Sequence, residues 1–286
     1  MGDLEQLLLR DYAFHGRRSL RRASAALAHL RAHLDRVPSS AAYGLSLDYA
    51  LARRAEGAAQ STIRYEIALL GRALTLAVHH GWISARPLVA RPTVRNTRQG
   101  FVTFGALREI LLRLPQPVRD ATVFAYVTGW RRAEIFGLTW DRVDLDASTV
   151  RLAAGETKND EGRVIPYDGH PWLRAVIRRA LARASGRYVF HRGGKLVRDF
   201  RGEWIRACRD AGVRNTVFHD LRRSAVRNME RAGVPRSVAM ALTGHKTESI
   251  YRRYAITNEQ DLSRGIRLIA KLSTGGRGGE EEVSDR

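Results

Sequence analysis

Two tyrosines, Tyr251 and Tyr254, close the stretch GHKTESIYRRYA, behind His245 and among basic side chains. A phenol can attack phosphorus covalently when cations stabilise its phenolate and a neighbour takes its proton. Groups suited to that help recur upstream. In HDLRRSAVRNM, His219 and Arg222 are three apart, so a helix presents both on one face. There a guanidinium fork can hold the non-bridging oxygens of a phosphodiester, and an imidazole can move a proton near neutral pH. In TGWRRAEIFGLTW, Gly129 permits a sharp turn that sets Arg131 in the first turn of a new helix, where free amides and the dipole also favour an anion. Glu134 follows at the spacing of a local ion pair. Lys158 falls at or beside a turn, in a chain with 45 arginines and 4 lysines. A lysine kept there suggests a task that arginine cannot perform, donation of a proton. Each feature alone also fits ordinary structure: tyrosines in a core stripe, a histidine cap, a surface Arg–Glu pair.

Helical spacing dominates the elements that must carry these groups. In STIRYEIALLGRALTLAVHHGW, Ile63, Ile67, Leu70, Leu74 and Ala77/Val78 fall three and four apart, one apolar stripe behind an expected Ser61 cap. Segments near 3–14, 19–34 and 41–56 share the pattern, which predicts a four-helix N-terminal lobe. Further on, helices are expected over TFGALREILLRL and PVRDATVFAYV, from Arg131, and over 171–184, 199–211, 217–232 and 235–242. The alternation in TVRLAAGETKNDEGRVIPY predicts a β-hairpin with Lys158 at its turn. The expected fold is mainly α with a small β-hairpin or sheet (α+β).

A chain of 286 residues has room for two domains. The aperiodic, arginine-rich stretch ARPLVARPTVRNTRQG places the boundary, giving a helical domain at 1–84, a basic linker at 85–100, a second domain at 101–272 and a disordered apolar-poor tail at 273–286. The net charge is +20, of which +8 falls in residues 1–100 and +14 in 101–272, so both domains are expected to face a polyanion, double-stranded DNA. No apolar run is long enough for a membrane helix, the acidic N-terminus lacks the look of a secretory signal, and the lone Cys208 fits a reducing cytoplasm.

In order along the chain stand Thr128-Gly129-Trp130-Arg131, Lys158, His219 to Arg222, and Gly244-His245 followed nine residues later by Tyr254. This set resembles the catalytic domain of the tyrosine recombinases, the phage-integrase family, and with the helical first lobe the likeness extends over roughly residues 1–272. The resemblance implies a core-binding domain and a catalytic domain, and a catalytic set of Arg131, Lys158, His219, Arg222, His245 and Tyr254. Arg131 and Arg222 would clamp the scissile phosphate, Lys158 would protonate the departing 5′ oxygen, His219 would assist proton transfer at the nucleophile and His245 would hydrogen-bond a phosphate oxygen. The nine-residue spacing favours Tyr254 over Tyr251 as nucleophile. Site-specific recombination through a 3′-phosphotyrosyl link and a Holliday junction follows, in a tetramer on two duplexes, with no metal or other cofactor and with the segment 258–272 docking on a neighbouring protomer. Thr243 stands where leucine is commoner, and Trp130 where a smaller apolar residue is usual.

Overall fold

The computed structural model describes residues 1–34, 41–94, 100–153, 162–252, 263, 265–267 and 270. The chain divides into two compact units, Met1–Asn96 and Thr97–Arg286. The tail at 273–286 and most of the segment 258–272 lie outside the described residues.

In the first unit, α1 (Gly2–Phe14), α2 (Leu20–His33) and α3 (Ala42–Ala55) pack on α4 (Gln60–His79). The stripe predicted on α4 is the seam: Ile63, Ile67, Leu70, Leu74 and Ala77 are all buried, against Leu7, Leu8, Leu27 and Leu30. The start of α4 differs from expectation. Ser61 lies inside the helix; the N-cap position falls on the extended Ala59, whose carbonyl accepts from the amides of Thr62 and Ile63 at 2.8 and 3.1 Å and whose side chain makes no capping bond. One buried carboxylate, Glu66, is satisfied by the Tyr49 hydroxyl (2.8 Å) and by Arg53 (3.2 and 3.1 Å).

The second unit is helical with two small antiparallel sheets. Its helices are α5 (Phe104–Arg113), α6 (Val118–Thr128), α7 (Arg132–Phe136), α8 (Pro171–Ala182), α9 (Arg201–Asp210), α10 (Asp220–Arg231), α11 (Arg236–Thr243) and α12 (Glu248–Arg252). Strands β1 (Val143–Asp144), β2 (Thr149–Leu152) and β3 (Arg163–Pro166) form a sheet in that order, with Val143 opposite Val150 and Val150 opposite Ile165. The predicted hairpin is β2–β3, and its turn, including Lys158, lies outside the described residues. A ribbon of β4 (His191–Arg192) and β5 (Lys195–Leu196) completes the set. With two residues each, β1, β4 and β5 are too short for an alternating signal.

Helix α6 runs through the core and packs on α8 and α10. Because most of its residues are buried, its polar groups need internal partners: Asp120, fully buried, accepts from Arg179 of α8 and from Arg183 just past its end, at 2.6 Å each. Gly129 ends α6 in the left-handed region (φ 68°), where an added Cβ would come within 3.0 Å of the Thr243 methyl and 3.2 Å of the Ala225 methyl. Glycine therefore lets three elements meet at that point. No described helix is long and apolar enough to cross a membrane.

Phe124 of α6 is fully buried and lies edge-on to Trp130 (5.4 Å) and Phe190 (5.7 Å). Phe124→Ala is expected to cost about 3–5 kcal/mol in urea unfolding of the chain; a loss below about 1 kcal/mol would mean that the core does not centre on this ring.

Candidate active site

Arg131 immediately precedes α7, as an extended N-cap rather than a first-turn residue. Its amide donates to Glu134 Oε2 (2.8 Å) and its guanidinium Nη1 to Glu134 Oε1 (2.8 Å), so the local pair and the candidate phosphate ligand are one arrangement. A second guanidinium shares that carboxylate. Arg163 Nη2 donates to Glu134 Oε1 at 2.6 Å, and its Nη1 reaches the Thr243 carbonyl at 3.0 Å. Arg163 opens β3, whose inward positions alternate, so a place that pattern reserves for an apolar side chain holds a buried cation instead. It lies 5.4 Å from the Trp130 ring.

Arg222, on the first turn of α10, is 2% exposed. Its Nη1 donates to the Gly129 carbonyl (2.6 Å) and to the Thr243 carbonyl, and its Nη2 reaches the Gly244 carbonyl at 3.4 Å. Gly244 ends α11 in the left-handed region (φ 69°), and a Cβ there would sit 2.6 Å from the Arg163 guanidinium. Glycine is thus required twice over, by backbone conformation and by contact. His245 follows, buried, with Nδ1 2.7 Å from the Thr243 hydroxyl. His219 is the N-cap residue of α10 but makes no side-chain capping bond. The structure therefore gathers Arg131, Arg222 and His245 about the turn Thr243–His245, with His219 close enough to feel Arg222 and Arg131.

Lys158 and Tyr254 lie outside the described residues. Tyr251 is described and fully buried, with Val226 and Ala239, its ring edge-on to His245 at 5.4 Å. Burial, together with Glu230 beside the phenol, pushes its pKa up, which is the opposite of what a nucleophile needs. Trp130 donates from its indole nitrogen to the Leu242 carbonyl (3.1 Å), a use for the larger ring in that slot. Arg163 was not among the residues singled out from sequence. The only available signal was an arginine at an inward strand position, visible once the hairpin register is fixed.

The electrostatics are those of an anion site. Burial pushes the Glu134 carboxyl up, but the hydrogen bonds and charges of Arg163 and Arg131 outweigh it and hold it below the usual carboxylate range. Burial, then the charges of Arg222 and Arg131, lowers His245 to about 3. Burial and Arg222 likewise lower His219. Both rings are neutral at pH 7 in the DNA-free protein. Among the described residues, no cluster of three or more His, Cys, Asp or Glu side chains is arranged to hold a metal ion.

Residues 106–261, more than half of the chain, match the phage integrase family. The chain belongs to that family. The integrase of Salmonella phage P22 is 26% identical over 220 residues, covering 70% of this chain and 55% of the relative. A shufflon-specific DNA recombinase of Escherichia coli is 27% identical over 223 residues, 74% of this chain and 53% of the relative. The chain thus spans about half the length of these two relatives. In fold it is similar to lambda integrase, solved as a dimer bound to a COC′ core site (TM-score 0.72, 16% identity, 99% of this chain and 80% of that one) and as a tetramer bound to a Holliday junction (TM-score 0.71, 15% identity, 98% and 80%).

Acid should weaken this site in a defined window. Below the ordinary histidine value of 6.5 the unfolded chain binds protons that the folded chain refuses at His245 until about 3, so stability falls as the pH drops between them. The Glu134 contribution adds in the same direction: it is fully present above the ordinary value of 4.5 and disappears as the pH falls through its lowered one. Urea unfolding at about pH 7.5 and about pH 5.5 is expected to show a loss of about 1 kcal/mol, shrinking in His245→Gln; an equal loss in both proteins would place the titrating group elsewhere.

Proposed function

We propose that this chain is a site-specific DNA recombinase that cuts and rejoins DNA through a phosphotyrosyl link. The observation that carries this is the linkage of Arg131 and Arg222, far apart in sequence, to one turn, Thr243–His245, whose His245 stands nine residues before Tyr254: Arg222 bonds to it directly, and Arg131 is joined to it through Glu134 and Arg163. Arg131 and Arg222 clamp the scissile phosphate, spreading its growing negative charge in the transition state. Tyr254 attacks phosphorus, leaving a 3′-phosphotyrosyl ester and a 5′ hydroxyl that Lys158 protonates as it departs. His219 takes the phenol proton, and His245 contacts a phosphate oxygen. The ester keeps the energy of the broken linkage, so resealing needs no nucleotide. The free 5′ hydroxyl of one duplex then attacks the ester on another, through a Holliday junction.

The partner is double-stranded DNA, in keeping with a net charge of +20, and the enzyme acts in the cytoplasm on the nucleoid. Assembly is a tetramer on two duplexes, as lambda integrase forms on a Holliday junction. The segment 258–272 docks on a neighbouring protomer. An apolar cavity of about 340 Å³ in the second unit, lined by Ile165, Pro166, Trp172, Leu173, Met229 and Val234 among others, supports this with a receptor of suitable chemistry.

Nicked suicide substrates drawn from the DNA flanking the gene should trap a covalent complex that vanishes in Tyr254→Phe and persists in Tyr251→Phe, while Arg222→Ala slows its formation by about 10²–10³-fold. The reverse pattern for the two tyrosines would overturn the assignment. Removing residues 258–286 is expected to abolish the four-protomer complex on DNA in a sizing experiment; unchanged assembly would refute the docking role.

A further inference from the structure

The hydroxyl of Thr243 is engaged on two sides. Oγ1 lies 2.7 Å from the Ala239 carbonyl and 2.7 Å from His245 Nδ1, and all of these groups are buried. A carbonyl can only accept, and a hydroxyl has one proton. That proton therefore goes to Ala239, one turn back on α11. The oxygen is left with lone pairs toward His245, so Nδ1 must supply the hydrogen of the second bond. We infer that Thr243 is a positioning residue that fixes His245 as the Nδ1–H tautomer, in which Nε2 carries no proton.

This deepens the reading of His245 as a phosphate contact and rests on it. A neutral ring in this tautomer cannot donate to a phosphate oxygen through Nε2; its contact with the phosphate forms once Nε2 has taken a proton from solvent, giving an imidazolium that donates from both nitrogens. Among the described residues, the charged and titratable groups around the ring include Arg131 and Glu134 of the α7 region, Arg163 of β3, His219 and Arg222 at the start of α10, and Tyr251 of α12. The excess of cations opposes that proton until a phosphodiester brings negative charge.

The tautomer can be read directly, without DNA. In protein labelled with ¹⁵N-histidine, long-range ¹H–¹⁵N spectra near neutral pH should show, for the ring identified by its loss in His245→Gln, a protonated Nδ1 and an unprotonated Nε2. Thr243→Ser should keep this pattern, and Thr243→Val should move population to the Nε2–H form. With suicide substrates, Thr243→Val is expected to form the covalent complex roughly tenfold more slowly, and Thr243→Ser within about twofold of the parent. A parent spectrum with the proton on Nε2 would overturn the inference even if no valine variant folds. So would a folded Thr243→Val with the parent's spectrum. Loss of the Tyr254-dependent adduct as the basis of activity would instead fault the recombinase reading, leaving the spectrum to decide the tautomer.

Discussion

Burying the Arg163 and Arg222 guanidiniums, with the half-buried Arg131 and a single carboxylate beside them, is the constraint on which this site depends. Glu134 pairs with Arg131 and Arg163, and Arg222 is held by main-chain carbonyls. Helix C-termini do the rest. The last turns of α6 and α11 end in carbonyls that lack partners within their own helices and carry the negative end of the dipole. Arg222 takes up the Gly129, Thr243 and Gly244 carbonyls, and Arg163 the Thr243 carbonyl as well. Two left-handed glycines bring those ends close enough to serve as a surrogate anion.

Partial charges on carbonyls satisfy hydrogen bonds without cancelling formal charge. The site therefore remains electropositive although its guanidiniums are hydrogen-bonded, which suits it to an anion. Burial first, and then the same field, favours the neutral form of the two histidines.

Much of this was legible in the chain. The stripe on α4, the hairpin around Lys158 and the helix carrying His219 and Arg222 follow from strong periodicity, and their cores fill as that periodicity requires. Arg131 and Arg222 were legible as candidate anion ligands because glycine turns and helical spacing are local signals. Arg163 was not. Its importance comes from tertiary register, since a strand arginine reads as solvent-facing until the neighbouring turn at Gly244 is seen to pack on it. The N-cap at Ala59 was missed for a related reason: a cap whose side chain makes no bond leaves no mark on residue type.

At the end of α11 the Met240 carbonyl accepts from the amides of Gly244 and His245, the Leu242 carbonyl from Trp130, and the Thr243 carbonyl from two arginines. Each of these acceptors is occupied within the protein itself. The entropy of ordering the turn is therefore spent at folding, and little reorganisation of it is left for the moment when DNA arrives.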